Sequence, residues 1–370
     1  MWWFNVENNE GCDRSLPGPN SYAYFYFYLL LLTSHMTSVN TPAPAILVTG
    51  GAGYIGSHAV LALEQAGYQV VILDSLEYGH QELVKQHLNA KLVQGNTADR
   101  ALLDKLFQQY KFAAVMHFAA YIAVGDSVTA PAKYYHNNVY GTLNLLQAMA
   151  AAGVNRFVFS STCAIYGPPK TVPIPENHPK NPISPYASSK LMVEMMLPDF
   201  QKAYGLQSVC FRYFNAAGAD PQGRFGEDHN PETHLIPLVL QTALGKRQHI
   251  SIYGTDYPTR DGTCIRDYIH VADLADAHVR GVQYLLDGGE TTFINLGNGN
   301  GFTVREVIET ARKVTGHSVP AVECERRPGD PPSLIGSSDH ARQRLGWVPQ
   351  YADLETIIKH AWQWHQQRHG

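Results

Sequence analysis

The stretch "AILVTGGAGYIGSHAVLALEQAGYQVVILD", residues 45–74, constrains the fold more than any other part of the chain. A short apolar run ends in glycines, apolar residues then recur at helical spacing up to Gly67, and a second apolar run ends at Asp74. That order predicts strand, helix, strand. Strands that are apolar throughout are covered on both faces, so repetition of this unit specifies an α/β fold with a doubly wound parallel sheet of the Rossmann type. The rhythm continues through "KLVQGN", "RALLDKLFQQYK", "AAVMHFAA", "NNVYGTLNLLQAMAAAG", "RFVFSST", a helix after Ser184 and "LQSVCFRYFN". After Asn215 it breaks into "AAGADPQGRFGEDHNPETH", which reads as loop, followed by shorter mixed elements. "RDYIHVADLADAHVRGVQYLL" and "TFINLGN" read as a helix and strand returning to the sheet. We therefore expect a first domain over 45–215, with 262–298 returning to it, and a second, smaller mixed α/β domain over 216–261 and 299–365.

With 45% hydrophobic and 16% charged residues among 370, the chain has ample material for two cores. A net charge of −4 with scattered basic residues argues against a nucleic-acid partner. Five widely spaced cysteines, Cys12, Cys163, Cys210, Cys264 and Cys324, read as free thiols in a reducing, cytoplasmic setting. Seventeen histidines form no His-Glu-x-x-His or comparable cluster, and the tail "HAWQWHQQRHG" reads as the exposed face of a last helix, so we expect no metal. The run "SYAYFYFYLLLL" is short for a bilayer span, and the residues before it carry Glu7, Glu10 and Asp13 against one Arg14, unlike an export signal. We read residues 1–44 as an upstream extension, with Met36 opening the functional chain, and expect no membrane partner.

Gly50, Gly53 and Gly56, with Gly51 alongside, lie where the first strand turns into the first helix. Glycines there allow a tight turn and let a pyrophosphate approach backbone N–H groups at the helix N-terminus. Asp74 ends the second strand 18 residues after Gly56, counted along the sequence, where a carboxylate accepts hydrogen bonds from ribose hydroxyls and repels a 2′-phosphate. The expected cofactor is NAD.

"SPYASSK" places Tyr186 four residues ahead of Lys190, on one face of a helix. Tyr166 and Lys170 share that spacing, but Pro168 and Pro169 between them break the helix that would align the pair. "HFAA" (117–120) and "FSSTCAIYG" (159–167) both end apolar strands, so Phe118, Ser161 and Thr162 reach the carboxyl edge of the sheet, where ligands bind in such folds. A phenol is a poor base at neutral pH unless nearby positive charge favours its ionised form, which gives Lys190 a reason to stand beside Tyr186.

The T-G-x-x-G-x-x-G turn, the "SST" strand end and Tyr-x-x-x-Lys resemble the extended short-chain dehydrogenase/reductase family. "YFNAAGA", "GEDHNPETHLIP", "IYGTDYPTRDGTCIRDYIHVADLADAH" and "RRPGDPP" resemble its members that invert C4 of a UDP-hexose, from about Ile46 to Trp364. The resemblance implies NAD in the first domain, a UDP-sugar between the two domains, and interconversion of UDP-glucose and UDP-galactose through a 4-keto sugar. It makes Tyr186 the base, Lys190 the residue that lowers its pKa and binds the nicotinamide ribose, and Thr162 a partner of the sugar 4-hydroxyl. Gly50, Gly53, Tyr54, Ile55, Gly56, Asp74, Asn96, Phe118, Ala119, Ala120, Asn137 and Phe214 fall on cofactor positions. Asn215, Leu235, Tyr253, Arg266, Arg327, Asp330 and Leu334 fall on UDP-sugar positions, the arginines suiting a diphosphate.

Two positions depart from that pattern. Asn96 stands where an aspartate is common, its amide oxygen still able to accept from the adenine amino group, and Ile122 stands where some members carry a lysine. Dehydratases of the same fold place Asp-Glu after the threonine, whereas this chain has Cys163-Ala164. "KLMVEMML" is apolar around most of a helix, which, with the resemblance, implies a homodimer through the Tyr186 helix and the "NNVYGTLNLLQAMAAA" helix.

Overall fold

The computed structural model describes residues 45–327 and 329–369; the extension 1–44, with its aromatic run, Met36 and Cys12, lies outside them. Seven strands pair in parallel: β1 (Ala45–Thr49), β2 (Gln69–Asp74), β3 (Lys91–Gln94), β4 (Phe112–His117), β5 (Arg156–Ser160), β6 (Gln207–Arg212) and β11 (Thr292–Asn295). Their order is β11-β6-β5-β4-β1-β2-β3, so the chain reverses direction across the sheet between β1 and β4. A crevice at the carboxyl ends of those two strands is the expected ligand position in such a sheet.

The continuous apolar runs are explained by the two faces. Ile46 and Val48 of β1 pack with Val60, Leu63 and Leu274, while Leu47 between them packs with Leu103, Leu146, Phe157 and Val193. The first group lies under α1 (Tyr54–Gln65) and α8 (Val271–Leu286). The second lies under α3 (Arg100–Gln109), α5 (Gly141–Ala151) and α6 (Pro185–Tyr204). Each buried branched side chain contributes about 1.5–3 kcal/mol, and a polar substitution on either face of β1 forfeits that burial.

Helix starts follow local chemistry. Ser184 caps α6 by accepting from the Ala187 N–H, Pro185 occupies its first turn, and Gly205, at φ 70°, ends it. Two short helices, α2 (Gln81–His87) and α4 (Val124–Thr129), follow β2 and β4. Ahead of α5 the helix passes through a π-helical segment, Tyr135–Tyr140, so the "NNVYGTLNLLQAMAAA" stretch is regular α-helix only from Gly141.

A third core gathers Ile236, Leu240, Ile252, Val307, Ile308 and Ile357. It unites α7 (Leu235–Ala243), α9 (Val304–Thr315), α11 (Leu354–His369) and the parallel pair β8 (Ile250–Tyr253) and β13 (Ala321–Cys324). β7 (Asn215–Ala217) pairs with β10 (Tyr268–His270), and β9 (Ile265–Arg266) lies between β12 (Phe302–Thr303) and β14 (Ser333–Leu334). The remaining described elements are α10 (Asp339–Leu345), a helical turn Pro131–Tyr134 and a 3-10 turn Cys163–Tyr166. Residues 218–234 form a long loop whose only strand-like feature is the Ala219–Gly226 bridge.

One expectation fails here. The last helix does not turn its aromatic and histidine residues to solvent: Ala361, Trp362 and His365 are buried, and Trp364 Nε1 donates to the Glu227 carbonyl at 3.0 Å. Its amphipathic spacing reads equally as an outer face or a docking face; the third core takes Ala361 and Trp362, and the loop 218–234 takes Trp364. Among the described residues no helix is long and apolar enough to cross a membrane.

Candidate active site

The glycine turn is closed too tightly for side chains. Gly50 has φ 74°, and a Cβ there would stand 2.6 Å from the Ala119 nitrogen; one on Gly56 would stand 2.1 Å from the Gly50 carbonyl oxygen. Gly53 caps α1 without any side-chain hydrogen bond, leaving the first-turn N–H groups of Tyr54, Ile55 and Gly56 directed at the crevice. Asp74 is buried at the end of β2, its Oδ2 accepting from the Ala52 N–H at 3.0 Å and its Oδ1 from the Leu76 N–H at 2.8 Å. Burial raises its pKa against those two bonds. An uncapped helix N-terminus with a fixed carboxylate beside it fits a dinucleotide whose ribose hydroxyls are free.

Beside this turn, Ala119 and Phe118 donate their backbone N–H groups to the Thr49 carbonyl, bringing the "HFAA" strand end, with Ala120, against β1. Phe118 packs on His278, ring centroids 4.7 Å apart. Asn96 and Asn137 meet through an amide contact of 3.5 Å. The Asn96 oxygen, which we expected to face the adenine, already accepts from the Ala98 N–H at 2.8 Å. Ile122 is exposed.

Tyr186 and Thr162 do converge. Burial pushes the phenol up to about 12, and the neighbouring Thr162 hydroxyl acts against it, favouring the ionised form. Thr162 is placed by the strand end of β5 and by its own bond to the Ala164 N–H. The Lys190 ammonium donates to the Ser160 carbonyl at 2.8 Å and lies 4.9 Å from the centroid of Phe159. Four residues of helix set the two Cα atoms on one face, but the long lysine stem runs inward along β5. Burial there lowers its pKa to about 7.

The positions expected to hold a UDP-sugar form two small groups. In the first, Arg266 on β9 pairs with Asp330, Nη2 to Oδ1 2.5 Å, and lies in register with Leu334 of β14. Leu334 and Phe214 both pack against Cys163, Ile165, Tyr166 and Ile174, immediately after Thr162. In the second, the Arg327 guanidinium stacks 3.9 Å from the centroid of Tyr253, both side chains being exposed. Asn215 donates to the Asp267 carbonyl at 2.8 Å. Leu235 begins α7 and packs against the third core.

Two sets of residues escaped the sequence reading. Glu194, one turn beyond Lys190, binds the Ser161 hydroxyl and Arg212, and carries the position of α6 to the strand ends. A buried acid in an apolar helix was the available signal. The second set is Glu227, His229, Glu232 and His234, whose ligand atoms all lie within 4.8 Å of one another. No metal-ligand motif was visible in the sequence at this point because the spacing E-x-H-x-x-E-x-H fits no helix or hairpin template, and a loop folds it into one place. Of the cysteines described, Cys163, Cys210 and Cys264 are buried, Cys324 is partly so, and all four are free.

The family model described as GDP-mannose 4,6 dehydratase matches residues 47–360. The chain is 54% identical over 327 residues to the UDP-glucose 4-epimerase of Halalkalibacterium halodurans, covering 88% of this chain and 97% of that one. It is 54% identical over 323 residues to that of Rhizobium meliloti, covering 87% and 97%. Among solved structures it resembles the UDP-glucose 4-epimerase of Brucella ovis in complex with NAD, with TM-score 0.84, 48% identity, and coverage of 86% and 98%.

Proposed function

The chain belongs to the extended short-chain dehydrogenase/reductase family, among its UDP-glucose 4-epimerases, and on that premise we propose that Tyr186, Thr162 and Lys190 run its reaction at the carboxyl edge of the sheet. That reaction is the reversible, NAD-dependent interconversion of UDP-glucose and UDP-galactose. The observation that carries the site assignment is that the helix bearing Tyr186 is tied to the strand end bearing Thr162, Lys190 donating to the Ser160 carbonyl and Glu194 accepting from the Ser161 hydroxyl.

When bound, NAD supplies the acceptor and donor of the C4 hydride and, oxidised, a positive charge beside the phenol. Gly50, Gly53, Tyr54, Ile55 and Gly56 would hold its pyrophosphate, Asp74 its adenosine ribose, and Phe118, Ala119, Ala120, Asn137 and Phe214 its remaining length. Tyr186 takes the proton of the sugar 4-hydroxyl and returns it after the 4-keto sugar has turned over. Thr162 hydrogen-bonds the same sugar oxygen and pulls the phenol toward its ionised form, against the burial that holds it near 12. Lys190, anchored on Ser160, presents its ammonium to the nicotinamide ribose. Arg266 and Arg327 hold the diphosphate, Asp330 orients Arg266, and Asn215, Leu235, Tyr253 and Leu334 line the UDP-sugar.

Dehydration, the chemistry in the matching family description, needs an acid and a base next to the threonine. Those positions carry Cys163, whose thiol burial raises well above its ordinary pKa, and Ala164. Neither performs that proton traffic. Incubating the purified chain with UDP-galactose and no added NAD tests the reading: appearance of UDP-glucose supports it, and no conversion with NAD restored overturns it.

We also propose that residues 45–215 with 262–298 bind NAD, while 216–261 and 299–365 bind the UDP-sugar. The chain is a homodimer paired through α6 and α5. Met192 and Met195 stand exposed on α6 while Val193 and Leu197 face the core, so that helix has a second apolar face. Light scattering at micromolar concentration checks this, a monomeric mass excluding it. Free thiols on Cys163, Cys210, Cys264 and Cys324 support a cytoplasmic setting.

A further inference from the structure

The loop 218–234 folds two carboxylates and two imidazoles onto one point. His229 Nδ1 lies 3.1 Å from Glu227 Oε1 and 3.7 Å from Glu232 Oε2. His234 Nδ1 lies 2.8 Å from Glu227 Oε1 and 2.9 Å from Glu232 Oε1. Both glutamate side chains are only 5% exposed. A tetrahedral ion bound at 2.0–2.2 Å sets its ligand atoms about 3.4 Å apart. The four His–Glu separations bracket that value, and all four ligand atoms lie within 4.8 Å of one another. Two carboxylates carry the charge that neutralises a divalent cation, and an N₂O₂ donor set of imidazole and carboxylate suits zinc and its neighbours better than calcium or magnesium, which take oxygen.

We propose that Glu227, His229, Glu232 and His234 form a structural site for a divalent cation of the zinc class, which clasps this loop onto the wall of the cofactor crevice. The surroundings define what the clasp holds. The Tyr54 ring stands edge-on to His229 at 6.2 Å, and its hydroxyl donates to the Gly218 carbonyl at 2.7 Å, so the loop is seated on the first turn of α1. His80, six residues past Asp74, bonds the Asp228 carbonyl at 3.0 Å. On the far side Trp364 holds the Glu227 carbonyl and Arg368 the Asp228 carboxylate. An ion at the centre ties four positions of an otherwise irregular loop together, between α11 and the residues that flank the pyrophosphate and ribose positions. The four donors do not belong to the site assigned to the reaction, so the inference stands or falls separately from it.

The competing arrangement is two Glu–His ion pairs with protons where the cation would sit, and metal addition separates the two. The full chain is dialysed against EDTA and titrated with Zn²⁺ alone, followed by native mass spectrometry and thermal unfolding. The expected result is saturable uptake of one ion per chain at micromolar concentration, a rise of several degrees in the unfolding midpoint, and slower loss of bound NAD on dilution. Glu232→Gln is expected to weaken uptake at least about tenfold, since a ligand is lost. Absence of saturable uptake, or equal uptake by Glu232→Gln, overturns the proposal; the latter places the ion on other histidines. Where Glu232→Gln does not fold, Co²⁺ added to the wild-type chain decides: intense visible bands of tetrahedral cobalt support the site, and only the weak bands of octahedral cobalt overturn it.

Discussion

Glu194 of α6 grips Arg212 of β6 with two parallel bonds, Oε1 to Nε at 2.9 Å and Oε2 to Nη2 at 2.7 Å, both side chains being 1% exposed. The same Oε1 accepts the Ser161 hydroxyl at 2.7 Å. One carboxylate thus fixes the helix that carries Tyr186 and Lys190 to the strand end that carries Thr162. Removing one partner of a buried pair strands the other charge, at about 3–5 kcal/mol. Glu194→Ala is expected to lose stability of that order in urea denaturation, and to lose turnover in the fraction that stays folded, since the Tyr186–Thr162 geometry loosens. A loss below 1 kcal/mol would show that Arg212 finds compensation elsewhere.

Tyr186→Phe removes only the phenolic oxygen. It is expected to keep the fold and bound NAD while turnover falls by about 10²–10⁴. Thr162→Ala, which removes a helper and not the base, is expected to fall less. Steady-state rates together with NAD content after gel filtration distinguish loss of the base from loss of the cofactor; near-wild-type turnover in Tyr186→Phe would remove Tyr186 from the mechanism.

Leu334 packs with Phe214 on the cluster that follows Thr162 and lies in register with Arg266, so it borders both the proposed reacting centre and the proposed diphosphate position. A bulky but flexible leucine there is expected to favour UDP-glucose and UDP-galactose over the 2-N-acetylated sugars. Contacts of a few apolar atoms discriminate by about 10–200-fold. Leu334→Ser is expected to move the ratio of kcat/KM toward UDP-N-acetylglucosamine by an amount in that range. An unchanged ratio would mean that Leu334 is packing without a view of the sugar.

His278 is buried among Phe118, Phe211 and Tyr213; its Nδ1 bonds the Leu274 carbonyl, and its Nε2 has no hydrogen-bond partner. Burial lowers its pKa to about 4. Its neutral form favours the fold fully above the unfolded value near 6.5, and that contribution is lost as pH falls from there toward 4, because the unfolded chain then binds a proton that the native one refuses. His278→Leu is expected to gain on the wild type over that window by up to about 3 kcal/mol, the worth of 2.5 pKa units. Urea midpoints at several pH values between 4 and 7 check it; a wild-type-to-variant gap independent of pH would mean that His278 takes up its proton in place.

The sequence by itself determined the parallel sheet and its helices, because apolar runs and helical spacing are properties of neighbouring residues. Seven parallel strands follow from runs such as "AILVT" and "QVVILD", and the helix after Ser184 is marked before any packing is considered. The glycine turn was equally legible, since Gly50 and Gly56 answer to a local steric demand. What tertiary structure alone decided is where long side chains go. Lys190 bonds Ser160, and the Asn96 oxygen bonds Ala98. Glu194, read only as part of an apolar helix, is the group that joins α6 to β5 and β6. Trp362 is buried in the third core, Trp364 is held by a loop some 130 residues earlier in the chain, at 218–234, and the same loop gathers Glu227, His229, Glu232 and His234 at a spacing no regular element would bring together. Spacing predicts contact only where the backbone is periodic; in a loop, the partners across space set the geometry, and those are absent from any local reading of the chain.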